Sequence, residues 1–259
     1  MMIPDSKLDF SRPLDGSLGD EIVRQRTFLE KLFQELRDRQ VVYVLLRGYE
    51  AITTRWRIDT DLDLAVSQDH LHPLLSVLLD LSQRLGYEKR KVIYRPGVLR
   101  LLLVDNESQR ELPIDIWFEF RYIGLEYLDV DQVLIKRRQL DASIWVPSCE
   151  YEVAASLMKE LLHTGKIADK KLLSAKNKMD ARYVMPFEKF FDVRIAEELA
   201  VSVREGVGEV SDLRRKALFI CIYKNIVHFG ILRIIGRTAG YIFARFWGYG
   251  DPMKKLKRQ

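Results

Sequence analysis

A chain of 259 residues suits one large domain or two small ones, and its 47% hydrophobic content excludes a disordered composition. The net charge of +5 admits an anionic partner without selecting among nucleotide, nucleic acid and lipid head groups. Cys149 and Cys221 lack metal-ligand spacing and read as free thiols of a reducing cytoplasm; no secretion signal opens the chain, and no apolar run reaches the roughly 18 residues of a membrane span.

Residues 1–19, with Pro4 and Pro13, read as an irregular arm. From Asp20 the apolar positions Ile22, Val23, Phe28, Leu29, Leu32, Phe33 and Leu36 recur at helical spacing and predict an amphipathic helix over 20–39. Val41–Leu46 reads as a buried strand, with Arg47-Gly48 as the turn behind it. A second strand ends near Val66, and Ser67 or Asp69 can cap a helix that runs to Leu85 and stops at Gly86. Strands over 88–94 and 98–104 flank a Pro96-Gly97 hairpin turn, and a strand over 112–118 follows. After Trp145-Val146-Pro147 the pattern changes. Ser148 can cap a helix that ends before Gly165, and helical patterns cover 167–179, 187–204 and 212–247. The reading is an α+β protein: a core over 20–145 with a small mixed sheet and flanking helices, then an all-helical domain over 146–259.

Three carboxylates carry the chemical signal. Asp61 and Asp63 lie in Arg-Ile-Asp-Thr-Asp-Leu-Asp-Leu-Ala-Val (57–66), a polar turn entering a strand; Asp115 interrupts the apolar strand Leu-Pro-Ile-Asp-Ile-Trp-Phe (112–118). Strand alternation puts Asp61 and Asp63 on one side and Leu62 and Leu64 on the other. If the two strands are neighbours, Asp115 completes a cluster that repels itself and raises its own pKa values unless a cation fills it. Hard divalent ions suit such oxygen ligands, above all with substrate phosphates present.

Competing readings fare worse. A calcium loop counted from Asp59 needs Gly sixth and Glu twelfth, where the chain has Leu64 and His70. The Asp-x-Asp of nucleotide-sugar glycosyltransferases normally follows a longer αβ region, and only one helix and one strand precede Asp61. A solvated turn with no role accounts for neither Arg47-Gly48 nor the apolar flanks of Asp115.

At these residues the chain resembles the polymerase-beta-like nucleotidyltransferase superfamily, whose pattern is a strand ending in Gly-Ser or Gly-Gly, an Asp-x-Asp strand and a later strand with a third Asp. More loosely, Leu46-Arg47-Gly48, Trp145-Val146-Pro147-Ser148 and the Leu161–Lys166 stretch are similar to nucleotidyltransferase-like proteins of bacterial surface-polysaccharide gene clusters. The resemblance implies transfer of a nucleoside monophosphate from an NTP to an acceptor hydroxyl, with two Mg²⁺ or Mn²⁺ ions held by Asp61, Asp63 and Asp115. The acceptor it favours is a sugar phosphate or glycan, with a protein or RNA hydroxyl left open. Gly48 would let the backbone approach the phosphates. Tyr49 stands where the family has Ser or Gly, and Arg47, Arg55 and Arg57 are expected to compensate as phosphate ligands. A helical domain closing over the nucleotide would supply Lys159, His163, Lys166 and Lys170, with Lys171 beside them.

The rival from another class is a non-catalytic nucleotide-binding module, for which Tyr49 is the main support. A sequence-independent nucleic-acid binder would interleave basic residues and exposed aromatics along a groove, and no nucleic-acid partner is expected. His70, His72 and His228 form no metal pattern. The segment 217–249, rich in Ile, Phe and Tyr with Lys224, Arg233, Arg237 and Arg245, reads as a core helix ahead of a basic tail (Lys254, Lys255, Lys257, Arg258). Its other reading is a peripheral surface on an anionic membrane. The protein is placed in the cytoplasm, or at the inner face of the membrane.

Overall fold

The computed structural model describes residues 16–55, 58, 61–141, 143–179 and 189–247. The periodic segment near the N-terminus forms α1 (Gly16–Asp38), which opens a turn before the predicted start. Then come β1 (Tyr43–Leu45), α2 (Tyr49–Arg55), β2 (Leu62–Val66), α3 (Gln68–Arg84), β3 (Tyr87–Arg95), β4 (Val98–Asp105) and β5 (Glu111–Trp117). These strands form one five-stranded sheet in the order β1-β2-β5-β4-β3, in which only β2 and β5 run parallel. That parallel pair brings the two Asp-bearing strands together.

Alternation gives the sheet two different faces. Leu62, Leu64 and Val66 of β2, Leu99, Leu101 and Leu103 of β4, and Ile114 and Ile116 of β5 pack against Phe28, Leu32 and Phe33 of α1 and Leu74, Leu78 and Leu81 of α3. The opposite face carries Val44, Ala65 and Trp117 and meets the helices that follow. These are α5 (Cys149–His163), α6 (Asp169–Lys178), α7 (Val193–Glu205), α8 (Ser211–Phe229) and α9 (Ile231–Trp247).

Short elements escape the periodicity reading: α2, the hairpin of β6 (Phe120–Tyr122) and β7 (Leu125–Leu128), α4 (Val130–Ile135), and the hairpin of β8 (Arg137–Asp141) and β9 (Ile144–Pro147). Each is too brief to show a period. They matter nonetheless, because Phe120 and Tyr127 fill the space between sheet and helices, while Ile144 and Val146 extend the sheet core.

The C-terminal pattern, predicted as one helix over 212–247, is two. Gly230 has φ +78° and ψ 150°, a conformation disfavoured for a residue with a side chain, and α8 and α9 bend by 118° there. The core-helix expectation also needs correction. α8 buries Leu213, Ala217, Cys221 and Asn225, but Phe219, Ile222, Tyr223 and Val227 are exposed, as are Ile231, Leu232 and Ile235 of α9. Among the described residues no single helix is long and apolar enough to cross a membrane, although the bent pair would pass by length and composition.

Candidate active site

The carboxylates converge. Asp61, Asp63 and Asp115 each offer an oxygen, and these atoms lie within 4.8 Å of one another. Register produces this: Asp63 is paired with Asp115 across β2 and β5, and Arg100 with Asp115 across β4 and β5, so the three side chains form a row on one face. Asp61 enters from the segment before β2. Asp63 and Asp115 are buried and Asp61 is half-buried.

Two guanidiniums offset the mutual repulsion of the row. Arg100 donates Nε to Asp115 Oδ1 at 2.5 Å and Nη2 to Asp115 Oδ2 at 2.6 Å, a bidentate pair, and reaches Asp61 Oδ2 at 3.3 Å. Arg47, from the turn after β1, donates Nε to Asp63 Oδ2 and lies 3.5 Å from Asp61 Oδ2 through Nη2. Trp117, two residues beyond Asp115 on the same face, donates Nε1 to Asp63 Oδ1 at 3.0 Å. Burial pushes the Asp63 carboxyl above the usual carboxylate range, against the lowering effect of Arg47 and Trp117; repulsion from Asp61 is the smallest of these causes. For Asp63, burial is thus the main cause, ahead of the repulsion expected from the sequence.

The turn supplying Arg47 needs glycine. Gly48 has φ +74°, and a Cβ there would meet nothing within 4 Å, so conformation rather than crowding demands it. Tyr49 does not fill the space above the turn. Its ring is buried in the sheet core, and its hydroxyl donates to Glu152 of α5 at 2.7–2.8 Å, with Lys178 of α6 beside it at 3.3 Å and ion-paired to Glu152. Tyr49 is thus a strut between the turn and the helices.

Two cavities adjoin the carboxylates. The first, roughly 250 Å³, runs from Leu46, Arg47 and Asp63 to Ser156 and Lys159 of α5 and Lys171, Ser174 and Lys178 of α6. The second, roughly 390 Å³, lies on the Asp115 side against Arg95, Arg100, Arg121, Tyr122, His163 and Tyr241. Arg47, Trp117, Tyr127 and Lys159 border both. Lys159 holds its ammonium 5.5 Å from the Trp117 ring centre, and burial first, then Arg47 and Lys171, lowers its pKa.

Of the sequence candidates, Asp61, Asp63, Asp115, Arg47 and Lys159 come together, and His163 reaches the second cavity, packed 4.8 Å from the Tyr122 ring. Lys166 faces Glu209 at 3.8 Å and Lys170 is exposed; neither lines either of these two cavities. The Arg55 side chain and Arg57 lie outside the described residues. Lys171, expected beside these cations, lines the first cavity, whereas Arg100, Trp117 and Lys178 were missed as site residues. For Trp117 the signal existed, since it is two residues past Asp115; for Arg100 it required the β4–β5 register.

The donor set suits a hard divalent cation: three clustered carboxylates, each oxygen able to accept more than one contact. The guanidiniums now on them are partly solvent-exposed and can swing to phosphate oxygens.

No family model matches the chain, and no curated protein matches it in sequence. Several solved structures are similar at low level. A candidate nucleotidyltransferase from H. pylori has TM-score 0.38 and 12% identity, over 83% of this chain and 98% of that one. JHP933 from Helicobacter pylori has TM-score 0.37 and 13% identity, over 90% and 100%. The polymerase core of TRAMP, an RNA surveillance complex, has TM-score 0.26 and 17% identity, over 75% and 58%. Likenesses of this size add no weight; the functional reading stands on the geometry.

Proposed function

We propose that the protein is a metal-dependent nucleotidyltransferase that moves a nucleoside monophosphate from an NTP to an acceptor hydroxyl. The observation that carries this is the meeting of Asp61, Asp63 and Asp115 at the boundary of two cavities, beside the open Gly48 turn. Asp61, Asp63 and Asp115 would hold Mg²⁺ or Mn²⁺, which when bound neutralises charge on the phosphate oxygens. The first cavity takes the triphosphate, with Arg47, Lys159, Lys171 and Lys178 as its cations. Asp115 faces the second cavity and accepts the acceptor's proton as its oxygen bonds the α-phosphorus. The bond from that phosphorus to the bridging oxygen breaks, and pyrophosphate leaves. A sugar or glycan hydroxyl is the acceptor the family resemblance favours.

One observation favours the binding-module alternative: Arg47 and Arg100 already pair with the carboxylates a metal would use. Both readings expect NTP to bind, so turnover separates them. Incubating the full chain with each α-³²P-labelled NTP, Mn²⁺ and a panel of sugars, sugar phosphates and glycans should yield labelled product and pyrophosphate. Tight metal-dependent NTP binding without pyrophosphate release would favour the module.

A second partner is proposed for the outer side of α8 and α9, an anionic membrane surface. Exposed Phe219, Tyr223 and Leu232 lie there with exposed Arg233 and with Arg215 and Lys216, which pair with the exposed Asp212 and Glu198; this supports a peripheral contact that is chiefly apolar. Arg237 takes no part in it. It is turned inward, 3.9 Å from Glu119 and 3.7 Å from Glu126. Arg245's side chain and the tail lie outside the described residues.

A further inference from the structure

We infer that the second cavity is a subsite for a phosphate-bearing acceptor, held chiefly by Arg95 and Arg121. The inference rests on the nucleotidyl-transfer reading for the word acceptor, but the phosphate site itself stands on separate residues.

The cavity is built from distant parts of the fold: the turn after β1 with Arg47, the β3–β4 turn region with Arg95, the β4 and β5 row, Arg121 and Tyr122 of β6, Tyr127 of β7, α5 and α9. Its lining holds the cations Arg47, Arg95, Arg100, Arg121 and Lys159 against one carboxylate, Asp115. Arg47 and Arg100 pair with the carboxylate row in this structure. Beyond that row the cavity is cationic. Arg95 is exposed and has no ion-pair partner among the described residues, and Lys159 lies by the Trp117 ring with no salt bridge among them.

Arg121 adds an observation of a different kind. Its Nη2 pairs with Glu119, but its buried Nε has no hydrogen-bond partner. A buried donor without an acceptor costs roughly 1–3 kcal/mol and calls for an explanation, an absent ligand or water among them; Arg138 Nε and Arg237 Nη1 are in the same state. Guanidinium forks match phosphate oxygens in shape and charge, and the Tyr122 and Tyr241 hydroxyls can complete such a site. A neutral acceptor would leave these cations facing one another across the cavity. A phosphate group on the acceptor would satisfy them and hold a neighbouring hydroxyl near Asp115.

The test is a ³¹P NMR titration of the full chain with inorganic phosphate, with and without a saturating nonhydrolysable NTP and Mg²⁺. Saturable phosphate binding should persist with the analogue bound. Arg95→Gln should weaken it by about tenfold, the loss of one charge-assisted contact, and should leave the analogue's affinity unchanged. Lys178→Gln should do the reverse. Arg121→Lys keeps the charge beside Glu119 and removes the fork, and should weaken phosphate without unfolding. Phosphate binding that is absent, or unaffected in both Arg95→Gln and Arg121→Lys, overturns the inference. If the analogue fails to bind while phosphate still depends on Arg95, the nucleotidyl-transfer reading falls and the phosphate site survives.

Discussion

At the scale of single residues, the site is a charge row that would repel itself without Arg47 and Arg100. Asp63 is the member held from both sides, by Arg47 and by the Trp117 indole. Asp63→Asn keeps an acceptor for Trp117 and removes one buried charge, so stability should change by less than about 1 kcal/mol. Metal-dependent NTP affinity should be lost. Calorimetry with and without Mg²⁺ reads the second outcome and urea denaturation the first; a variant with undiminished affinity contradicts the metal assignment. Tyr49 makes a different case. Tyr49→Phe keeps the buried ring and loses the hydroxyl's bonds to Glu152 and from Lys178, which keep each other as an ion pair, and should cost about 1 kcal/mol. Tyr49→Ser installs the family's small residue but empties a core position, which should cost about 3–5 kcal/mol. Equal costs in a denaturation series would mean that the ring contributes nothing to the core. The three aspartates were legible in the sequence because a carboxylate within an apolar strand needs a reason. Arg100 was not, because one residue of slip between β4 and β5 would turn it to the other face.

At the scale of elements, long periodic segments were readable and short ones were not. α1, α3, the β3–β4 hairpin and α5 follow from apolar spacing and turn residues. The strands of the β6–β7 hairpin span three and four residues, and its place depends on distant partners. Asn225 is the clearest of these. This fully buried amide on α8 accepts from the Glu126 backbone N–H at 2.9 Å and donates to its carbonyl at 2.8 Å, clasping β7 as a neighbouring strand would. Asn225→Ala strands the Glu126 N–H and leaves its carbonyl only the Cys221 thiol at 3.5 Å; a buried unpaired group costs about 1–3 kcal/mol. The variant should be destabilised by at least that amount in thermal or urea unfolding, and a shift within error would show that water replaces the amide. Because β7 adjoins β6, which bears Arg121, loosening this clasp should also weaken phosphate binding in the second cavity.

At the scale of the molecule, the sheet presents one face to α1 and α3 and the other, bearing the carboxylates, to the helices after β9. That arrangement puts a hard-cation ligand set at the floor and lysines of α5 and α6 on the wall. The outward apolar side of α8 and α9 is what composition could least anticipate, since an apolar segment reads alike whether it packs inward or faces solvent. Cosedimentation with vesicles tests its proposed partner. Binding should require anionic lipid and weaken at high salt, each surface Lys or Arg contributing about 1 kcal/mol; protein that stays in the supernatant under both conditions ends the membrane reading. The central claim is tested most directly by a crystal structure with a nonhydrolysable NTP and Mn²⁺. Anomalous peaks are predicted within coordination distance of Asp61, Asp63 and Asp115, with Arg47 turned from Asp63 onto the triphosphate in the first cavity. A nucleotide bound elsewhere, or no manganese at the carboxylates with Arg47 and Arg100 still paired to them, would contradict it.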